Sequence, residues 1–286
     1  MSNNIFRKRQ ELEGITSLDD LKSETIDVLT SHESIRAFNS KTIPGDYLEA
    51  IITSARSAPT SSNLQAYSII VVSSQEKKDS LATYSGDQNF IREAPVFLVF
   101  CADIHRLKYV TNRQGYQFEG DSLEMFLLAS MDATLTMQNA LVASEALGLG
   151  AVPVGSIRNE PIKVIEELNL PKGVYALVGL AIGYEKEGVR RGIKPRLPQK
   201  VTVHQEGYST EHLEEGLKGY DRQMVARRTY EGRRVSIAGE PERDGLEYGW
   251  CEHTARRCTR PETIAASASL RENLRAILES HGFSFK

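Results

Sequence analysis

The hydrophobic and polar positions of this chain predict helices that alternate with short strands. Residues 96–102 and 176–183 are apolar at almost every position, which is typical of central strands covered on both faces. The runs at 67–73 and 151–154 are rich in β-branched residues and predict two more strands. We expect these four strands to form one mixed sheet, and the sequence contains no internal repeat.

Helical spacing of apolar residues predicts the elements that flank this sheet. The predicted helices cover residues 19–30, 44–55, 75–84, 122–147, 161–168 and 264–281. Pro44 lies near the first turn of the second helix, and Gly148 follows the last turn of the fourth, positions where proline and glycine are favoured. We expect an α+β fold in which a central mixed β-sheet is flanked by helices.

The character of the chain changes at two places. Residues 1–20 are predicted to be a polar N-terminal lead-in, and residues 21–286 to be a single domain. Within that domain, residues 225–261 have poor periodicity and contain many arginines and several glycines. This segment is interpreted either as a mobile flap over a site or as a solvated excursion of the chain.

Composition narrows the functional class. The chain has 286 residues, of which 40% are hydrophobic and 26% are charged, as in an ordinary folded globular protein. A formal net charge of −3 argues against a nucleic acid or an anionic membrane as partner. The most apolar stretch, residues 123–149, is interrupted by charged residues and favours a buried helix over a membrane span. The N-terminus lacks the apolar core of a signal peptide, so we expect a cytoplasmic protein.

The motifs indicate neither nucleophilic nor metal chemistry. Cys101, Cys251 and Cys258 are too few for a disulfide framework and lack the spacing of zinc ligands. GxSxG, HExxH and phosphate-loop patterns do not occur in the sequence. The glycines between 148 and 155 have the wrong spacing for a dinucleotide fingerprint and precede a strand instead of following one. We therefore expect neither a nucleophilic catalytic residue nor a metal site.

Five polar clusters remain as candidate binding residues. They are residues 31–36, residues 58–65, Gln88, residues 155–158 and residues 194–196. The first and last combine cations with other polar groups that could bind an anion. The second offers hydroxyl and carboxamide groups suited to a polar heterocycle. Taken alone, each cluster is also explained by a capped helix or a solvated turn.

Taken together and in this order, the clusters resemble the flavin-dependent nitroreductase family. The matching stretches are SHESIRAF, SARSAPTSSNLQAYSIIVVS, GDQNFIREAPVFLVFCAD, DATLTMQNALVASEALGLGAVPVGSIRN and GIKPRLP. The similarity is to the branch of oxygen-insensitive NADPH nitroreductases and NADPH–flavin oxidoreductases. It implies a nitroreductase-like fold, a homodimer that exchanges terminal segments, and two FMN molecules, each bound at the subunit interface.

The resemblance also implies roles for individual residues. The FMN-binding positions are His32, Ser34, Arg36, Thr60, Ser61, Ser62, Gln88, Gly155, Ser156, Lys194 and Arg196. The hydroxyl segment at 60–62 would come from the partner subunit. Arg36 would lie near the pyrimidine edge, where reduced FMN carries negative charge, and the Lys194–Arg196 pair would bind the phosphate. Arg158 and Arg271 are candidates for contacting NADPH or the substrate.

Three positions depart from the family pattern. Glu33 replaces an arginine near the implied phosphate site, and Pro153 replaces a larger residue near the ring. Ala268 replaces the lysine that accompanies Arg271 in binding the phosphate of NADPH.

The function implied by the resemblance is that of an FMN-dependent NAD(P)H oxidoreductase, with NADPH favoured as the donor. NADPH would reduce FMN and leave, and a nitroaromatic, a quinone or free flavin would then enter the same pocket, which gives ping-pong kinetics. Two alternatives stay open. One is a flavoprotein specialised for a single acceptor, and the other is an FMN-binding protein without turnover.

Overall fold

The chain divides into two compact units. The computed structural model describes residues 9, 11, 23–189, 192–232, 234–237, 248–259 and 273–285. Residues 33–191 and 269–286 form one unit, here called the sheet unit, and residues 1–32 and 192–268 form the other, the helical unit. The single domain expected over 21–286 stays a prediction. The expected lead-in at 1–20 lies outside the described residues, except for Arg9 and Glu11.

The sheet unit contains four strands. They are β1 (Tyr67–Val72), β2 (Val96–Asp103), β3 (Gly150–Val154) and β4 (Val174–Gly183). The order across the sheet is β1-β2-β4-β3, and all three pairs are antiparallel. The α+β class is confirmed, but the mixed sheet expected from the sequence is wrong for these strands. Helices between strands do not establish parallel pairing, because a helix can lead the chain back to the end of the sheet that it has just left. The next strand then runs antiparallel to the one before it.

Helices occur in both units and are numbered along the chain. They are α1 (Glu24–Thr30), α2 (Gly45–Arg56), α3 (Gln75–Tyr84), α4 (Asn89–Glu93), α5 (His105–Arg113), α6 (Leu123–Ala146), α7 (Pro161–Glu167), α8 (Gln199–Thr202), α9 (Leu213–Ala226), α10 (Trp250–Thr259) and α11 (Leu274–Ser280). The long helix α6 confirms the prediction closely. The Ser122 hydroxyl accepts a hydrogen bond from Met125 N–H at its start, and Gly148 takes a φ of 77° just beyond its end.

Strand β2 is the centre of the sheet unit, because all eight of its residues are buried. Leu98 and Phe100 point to one face, where they pack with residues of α2 and α6. Phe97 and Val99 point to the other face and pack with residues of α3, α4 and α7. The sheet is therefore covered by helices on both sides, as the run of apolar residues predicts.

The helical unit contains α1, α8, α9 and α10. The rings of Tyr220 on α9 and Trp250 on α10 meet edge to face at 5.5 Å between centroids. The segment at 225–261 is less irregular than its sequence pattern indicates, because α9 continues into it and α10 occupies Trp250–Thr259. Residues 238–247, between these helices, lie outside the described residues, and the mobility expected for the flap stays a prediction.

Within the described ranges, no helix has both the length and the apolar character needed to cross a membrane.

Candidate functional site

Lys194 and Arg196 are separated by one residue in the helical unit, in a segment that belongs to no helix or strand. Both side chains are exposed, whereas Ile193 and Pro195 are buried. This alternation places the two cations on the solvent side of the segment. The Arg196 guanidinium also donates to the Lys194 carbonyl at 3.3 Å. A point charge and a planar guanidinium held together in this way form a donor set suited to a phosphate.

Helix α9 holds this segment in place. Tyr220 donates its hydroxyl hydrogen bond to the Pro195 carbonyl at 3.3 Å, and the Arg227 guanidinium donates to the Ile193 carbonyl at 3.1 Å. Burial raises the pKa of the Tyr220 hydroxyl, and the positive charge of Arg196 acts in the opposite direction. The phenol therefore stays protonated near neutral pH and remains a donor to Pro195.

Arg9 connects the cation pair with the end of α1. Its guanidinium donates to the Thr30 carbonyl at 2.7 Å and to the Lys194 carbonyl at 3.5 Å. His32 follows Thr30 by two residues and is half-buried. The structure thus brings the chain around His32 and the chain around Lys194 to one arginine. Nothing in the local sequence pattern around Arg9 predicts this role.

In the sheet unit, Ser34 and Arg36 flank Ile35, which fixes this part of the chain to β3. Ile35 is buried, and its N–H donates to the Ala151 carbonyl of β3 at 3.1 Å. Its side chain lies against Gly150, where an added Cβ would approach within 2.8 Å. Ser34 and the departure at Glu33 are half-buried, and Arg36 is exposed.

The segment Thr60–Ser62 lies in a tight loop that leads into β1. Ser61 and Ser62 are exposed, and Ser62, Asn63 and Gln65 all have positive φ angles, at 48°, 56° and 52°. Non-glycine residues in this region cost about 1–3 kcal/mol each, so such a loop needs support from its surroundings. The support is the Asp132 carboxylate on α6, which accepts from Ser61 N–H and from Ala66 N–H, each at 3.0 Å.

Gln88 and the turn at Gly155–Arg158 lie in the same region of the sheet unit. Gln88 is the N-cap residue of α4, and it follows Gly86 closely. The Asn159 side-chain nitrogen, just after the turn, lies 3.3 Å from where a Gly86 Cβ would be. Gly155 and Ser156 begin the turn directly after β3 and are half-buried.

Arg158 folds back under this turn. Its guanidinium donates a hydrogen bond to the Leu177 carbonyl of β4, and a Cβ on Gly155 would lie 3.5 Å from it. The side chain therefore supports the backbone of the turn as described. The contact with NADPH or substrate expected for Arg158 stays a prediction. Pro153, the second departure within the described residues, is half-buried in β3. Arg271 and Ala268 lie outside the described residues.

The loop at 60–66 and the turn at 155–158 lie at opposite edges of the sheet. The loop enters β1 and the turn leaves β3, and these are the two edge strands. Three interstrand spacings separate them, roughly 14 Å. Within one chain, the structure therefore brings Gln88 close to Asn159, just after the turn at 155–158, but does not bring Thr60–Ser62 to that turn.

The candidate residues of each unit have groups that can bind a ligand. Those of the helical unit include the cations Lys194 and Arg196, which suit a phosphate, and those of the sheet unit offer hydroxyls and a carboxamide, which suit a hydrogen-bonding heterocycle. In the described ranges, no group of three or more His, Cys, Asp or Glu residues is arranged to bind a metal ion. The three cysteines are free, and burial raises the pKa of the Cys101 thiol to about 12. That thiol is therefore protonated and packed in the core rather than reactive.

Comparisons with known proteins show the family to which the chain belongs. A model of the nitroreductase family matches residues 29–184, and a model of the C-terminal domain of the nitroreductase family matches residues 194–286. The chain is 40% identical over 205 residues to an FMN reductase, specified as NAD(P)H-dependent, from Bacillus subtilis, covering 71% of this chain and 82% of that protein. It is 39% identical over 205 residues to an oxygen-insensitive NADPH nitroreductase from Salmonella typhimurium, with the same two coverages of 71% and 82%.

A solved structure agrees with these sequence matches. The NADPH:FMN oxidoreductase from Vibrio harveyi, crystallised with NAD+, superposes with a TM-score of 0.78 at 28% identity. The match covers 92% of this chain and 100% of that one. The first family model alone spans more than half of the residues, from the polar segment before Ser34 to the end of β4. The chain belongs to the nitroreductase family.

Proposed function

We propose that this protein is an FMN-dependent NAD(P)H oxidoreductase that passes two electrons to nitroaromatics, quinones or free flavin. The observation that carries the proposal is the 39–40% identity to an FMN reductase and to an NADPH nitroreductase, each matched over 82% of its length. NADPH is proposed as the preferred donor, because the names of several relatives specify NADPH. A cytoplasmic location remains part of the proposal.

The residues of the chain fit FMN in their chemistry. Lys194 and Arg196, exposed together on the segment held by α9, are suited to the phosphate. His32 is proposed to act at the same phosphate. Ser34 carries a further hydroxyl for that end of the cofactor. The flavin, when bound, would supply the chemistry of accepting a hydride and passing on two electrons.

Other residues are proposed to orient the ring and tune its environment. Arg36 is suited to the pyrimidine edge, where its charge would stabilise negative charge, and Gln88 would add a carboxamide hydrogen bond there. Gly155 and Ser156 would present backbone and hydroxyl groups beside the reacting edge. Gly155 has no side chain, so its backbone would be able to approach the flavin ring closely. No acid–base side chain is required, since the protein's task is to hold donor and ring in contact.

We propose that the protein acts as a homodimer, and that α6 lies in the interface. Leu123, Leu127, Met131 and Leu135 recur every four residues on α6, and their exposed fractions are 48%, 49%, 56% and 43%. This spacing puts four large apolar side chains on one face of a helix. Burying that face against a second copy removes it from water, which a single chain does not do.

The dimer also accounts for the position of Thr60–Ser62. That loop lies at the sheet edge opposite to Gly155, so in one chain it stands apart from the turn. A loop supplied by the partner subunit resolves this separation. Exchange of terminal segments stays a prediction. The described part of the C-terminus packs on its own chain, where Phe283 is buried and its ring lies 5.2 Å from that of Phe126.

The departures from the family pattern leave two alternatives to this function. Glu33 places a carboxylate in the sequence next to His32, and this could weaken phosphate binding. A protein specialised for one acceptor would turn over slowly with general nitro compounds and rapidly with one substrate. An FMN-binding protein without turnover would hold a flavin that NADPH does not bleach.

The test is the absorbance spectrum of the purified protein, followed by anaerobic titration with NADPH and then with NADH. We expect a flavin spectrum that NADPH bleaches, and reoxidation by a nitroaromatic, a quinone or free FMN. Initial rates at several donor and acceptor concentrations should give the parallel lines of ping-pong kinetics. A protein that stays colourless after FMN addition and oxidises neither nicotinamide with any acceptor would overturn the proposal.

A further inference from the structure

The loop at 60–66 has a structural support that the function proposed above does not explain. Asp132 lies in the middle of α6 and is 1% exposed. One of its carboxylate oxygens accepts from Ser61 N–H and the other accepts from Ala66 N–H, each at 3.0 Å. These two N–H groups lie at the two ends of the loop. One buried carboxylate therefore clamps both ends of the loop to α6.

The segment between the two clamped residues is exposed and conformationally unusual. Ser61, Ser62 and Gln65 are exposed, and three of the residues from 62 to 65 have positive φ. Internal bonds also hold it: Leu64 N–H donates to the Ser61 carbonyl at 2.9 Å, Tyr67 N–H donates to the Gln65 carbonyl at 2.8 Å, and the Gln65 amide donates to Asn63 Oδ1 at 3.3 Å. Because left-handed backbone is disfavoured for residues with a Cβ, the chain needs support to stay in this conformation, and the two clamped ends add to the internal bonds.

We propose that Asp132 is the positioning residue that fixes the hydroxyls of Thr60–Ser62 for FMN. It acts through the backbone of Ser61 and Ala66 and does not itself touch the cofactor. The inference rests on the proposed function, since it assumes that this loop contacts FMN.

The location of Asp132 on α6 gives the clamp a second consequence. Met131, its neighbour in sequence, belongs to the apolar face that is proposed to meet the partner subunit. The carboxylate thus ties the loop to the same helix that would set the distance between subunits. The position of a loop donated across a dimer interface, relative to the partner's flavin, depends on two things: how the loop is attached to its own chain and how far apart the subunits lie. Attachment to α6 would fix the first relative to the helix that sets the second.

The first pair of variants is Asp132→Asn with Thr136→Val as its control. The asparagine keeps the shape but has one acceptor oxygen, so one of the two N–H donors faces an amide that also donates. Thr136 is buried one turn further along α6, and its hydroxyl donates only to the Asp132 backbone carbonyl in the described structure, at 2.8 Å. Thr136→Val therefore perturbs the same helix without touching the loop.

The second pair needs no change in the core. Ser61→Pro removes the N–H that Asp132 accepts, and Ser61→Ala removes only the hydroxyl. Proline is tolerated there because Thr60 has extended backbone and Ser61 starts the short 3₁₀ turn. The difference between these two variants isolates the clamp and remains informative if Asp132→Asn does not fold.

The measurements are FMN dissociation constants by quenching of flavin fluorescence, kcat at saturating FMN, and amide hydrogen exchange of the peptide 59–66 in the apoprotein. We expect Asp132→Asn to raise the FMN dissociation constant at least tenfold, with kcat at saturating FMN within twofold of wild type and with faster exchange of the peptide. Thr136→Val should change the dissociation constant less than twofold. Ser61→Pro should bind FMN at least fivefold more weakly than Ser61→Ala.

Three results would overturn the inference. They are wild-type FMN affinity in Asp132→Asn, an equal loss of affinity in Thr136→Val, or equal affinities in Ser61→Pro and Ser61→Ala. If the wild-type protein itself does not bind FMN, the proposed function fails and the inference fails with it. That outcome is distinguishable, because a wild type that binds FMN beside an Asp132→Asn variant that binds equally well overturns only the inference.

Discussion

The Asp221 carboxylate on α9 accepts a hydrogen bond from the backbone N–H of Cys251, in the first turn of α10, at 2.7 Å. The N–H groups of a first helical turn have no partner within the helix, so a carboxylate there accepts from one of them. Its negative charge also interacts favourably with the positive end of the helix dipole. Gly249 makes the approach possible, because a Cβ there would lie 2.3 Å from Asp221 Oδ1. Burial first, and the charge of Asp221 second, raise the pKa of the Cys251 thiol.

Asp221→Ala is expected to destabilise the helical unit by about 1 kcal/mol, the usual cost of losing a side-chain cap at a helix start. Asp221→Asn keeps an acceptor oxygen and is expected to lose less. The measurement is the free energy of unfolding in urea, followed by circular dichroism. Equal stabilities of Asp221→Ala and wild type would show that the bond to Cys251 does not contribute.

Lys194→Ala and Arg196→Ala are each expected to raise the FMN dissociation constant by about ten- to a hundredfold, because a charge-assisted hydrogen bond contributes about 1.5–3 kcal/mol. The loss should shrink as salt is added, since salt screens exposed charges. The matched control is Lys200→Ala, an exposed lysine of the same unit that pairs with Glu215 at 2.8 Å. Fluorescence titration gives the constants. A loss as large in the control would mean that net charge, not the pair, determines affinity.

The sequence predicts α6 and β2 almost to the residue because their signals are local. A serine cap, a long apolar periodicity and a final glycine define α6, and an unbroken apolar run defines β2. Helix α5 escapes prediction, since Tyr109 and Val110 are apolar yet 58% and 50% exposed. Apolar residues on the solvent face blur the periodicity on which such a prediction depends.

Some residues of the candidate site can be predicted from the sequence, and others cannot. The polar clusters around Arg36, Gln88 and Lys194 are visible in the sequence because several suitable side chains occur together. Asp132 and Arg9 are not visible. Asp132 is 71 residues from the Ser61 N–H it accepts, and Arg9 is 185 residues from Lys194. Only the fold brings such pairs together, and the antiparallel pairing of the sheet is likewise a property of tertiary structure.

Leu127→Glu is expected to shift the protein from dimer to monomer, because it puts a charge in the centre of the apolar face of α6. Ile162→Glu is the control, since Ile162 is an aliphatic residue of α7 that is 55% exposed outside that face. Sedimentation velocity at micromolar protein measures the state. If Leu127→Glu and Ile162→Glu sediment alike as dimers, α6 is not the interface. Loss of FMN in the Leu127→Glu monomer would further support a site completed by the partner.

Acidification is expected to destabilise the sheet unit through His281, which lies just after α11. Burial is the main cause that lowers the pKa of this imidazole below its ordinary 6.5, and the charge of Lys172 acts in the same direction, while hydrogen bonds with the backbone of Val174 and Pro171 oppose them. The unfolded chain therefore binds the proton more readily than the folded one. The contribution of His281 is present above pH 6.5 and is lost as the pH falls through the lower pKa of the folded state.

His281→Gln, which does not titrate, should show a shallower loss of unfolding free energy between pH 7.5 and 5 than wild type, in urea titrations at several pH values. His105→Gln, which alters an exposed histidine of the same unit, is the control. Parallel pH profiles for His281→Gln and wild type would exclude this histidine as the cause.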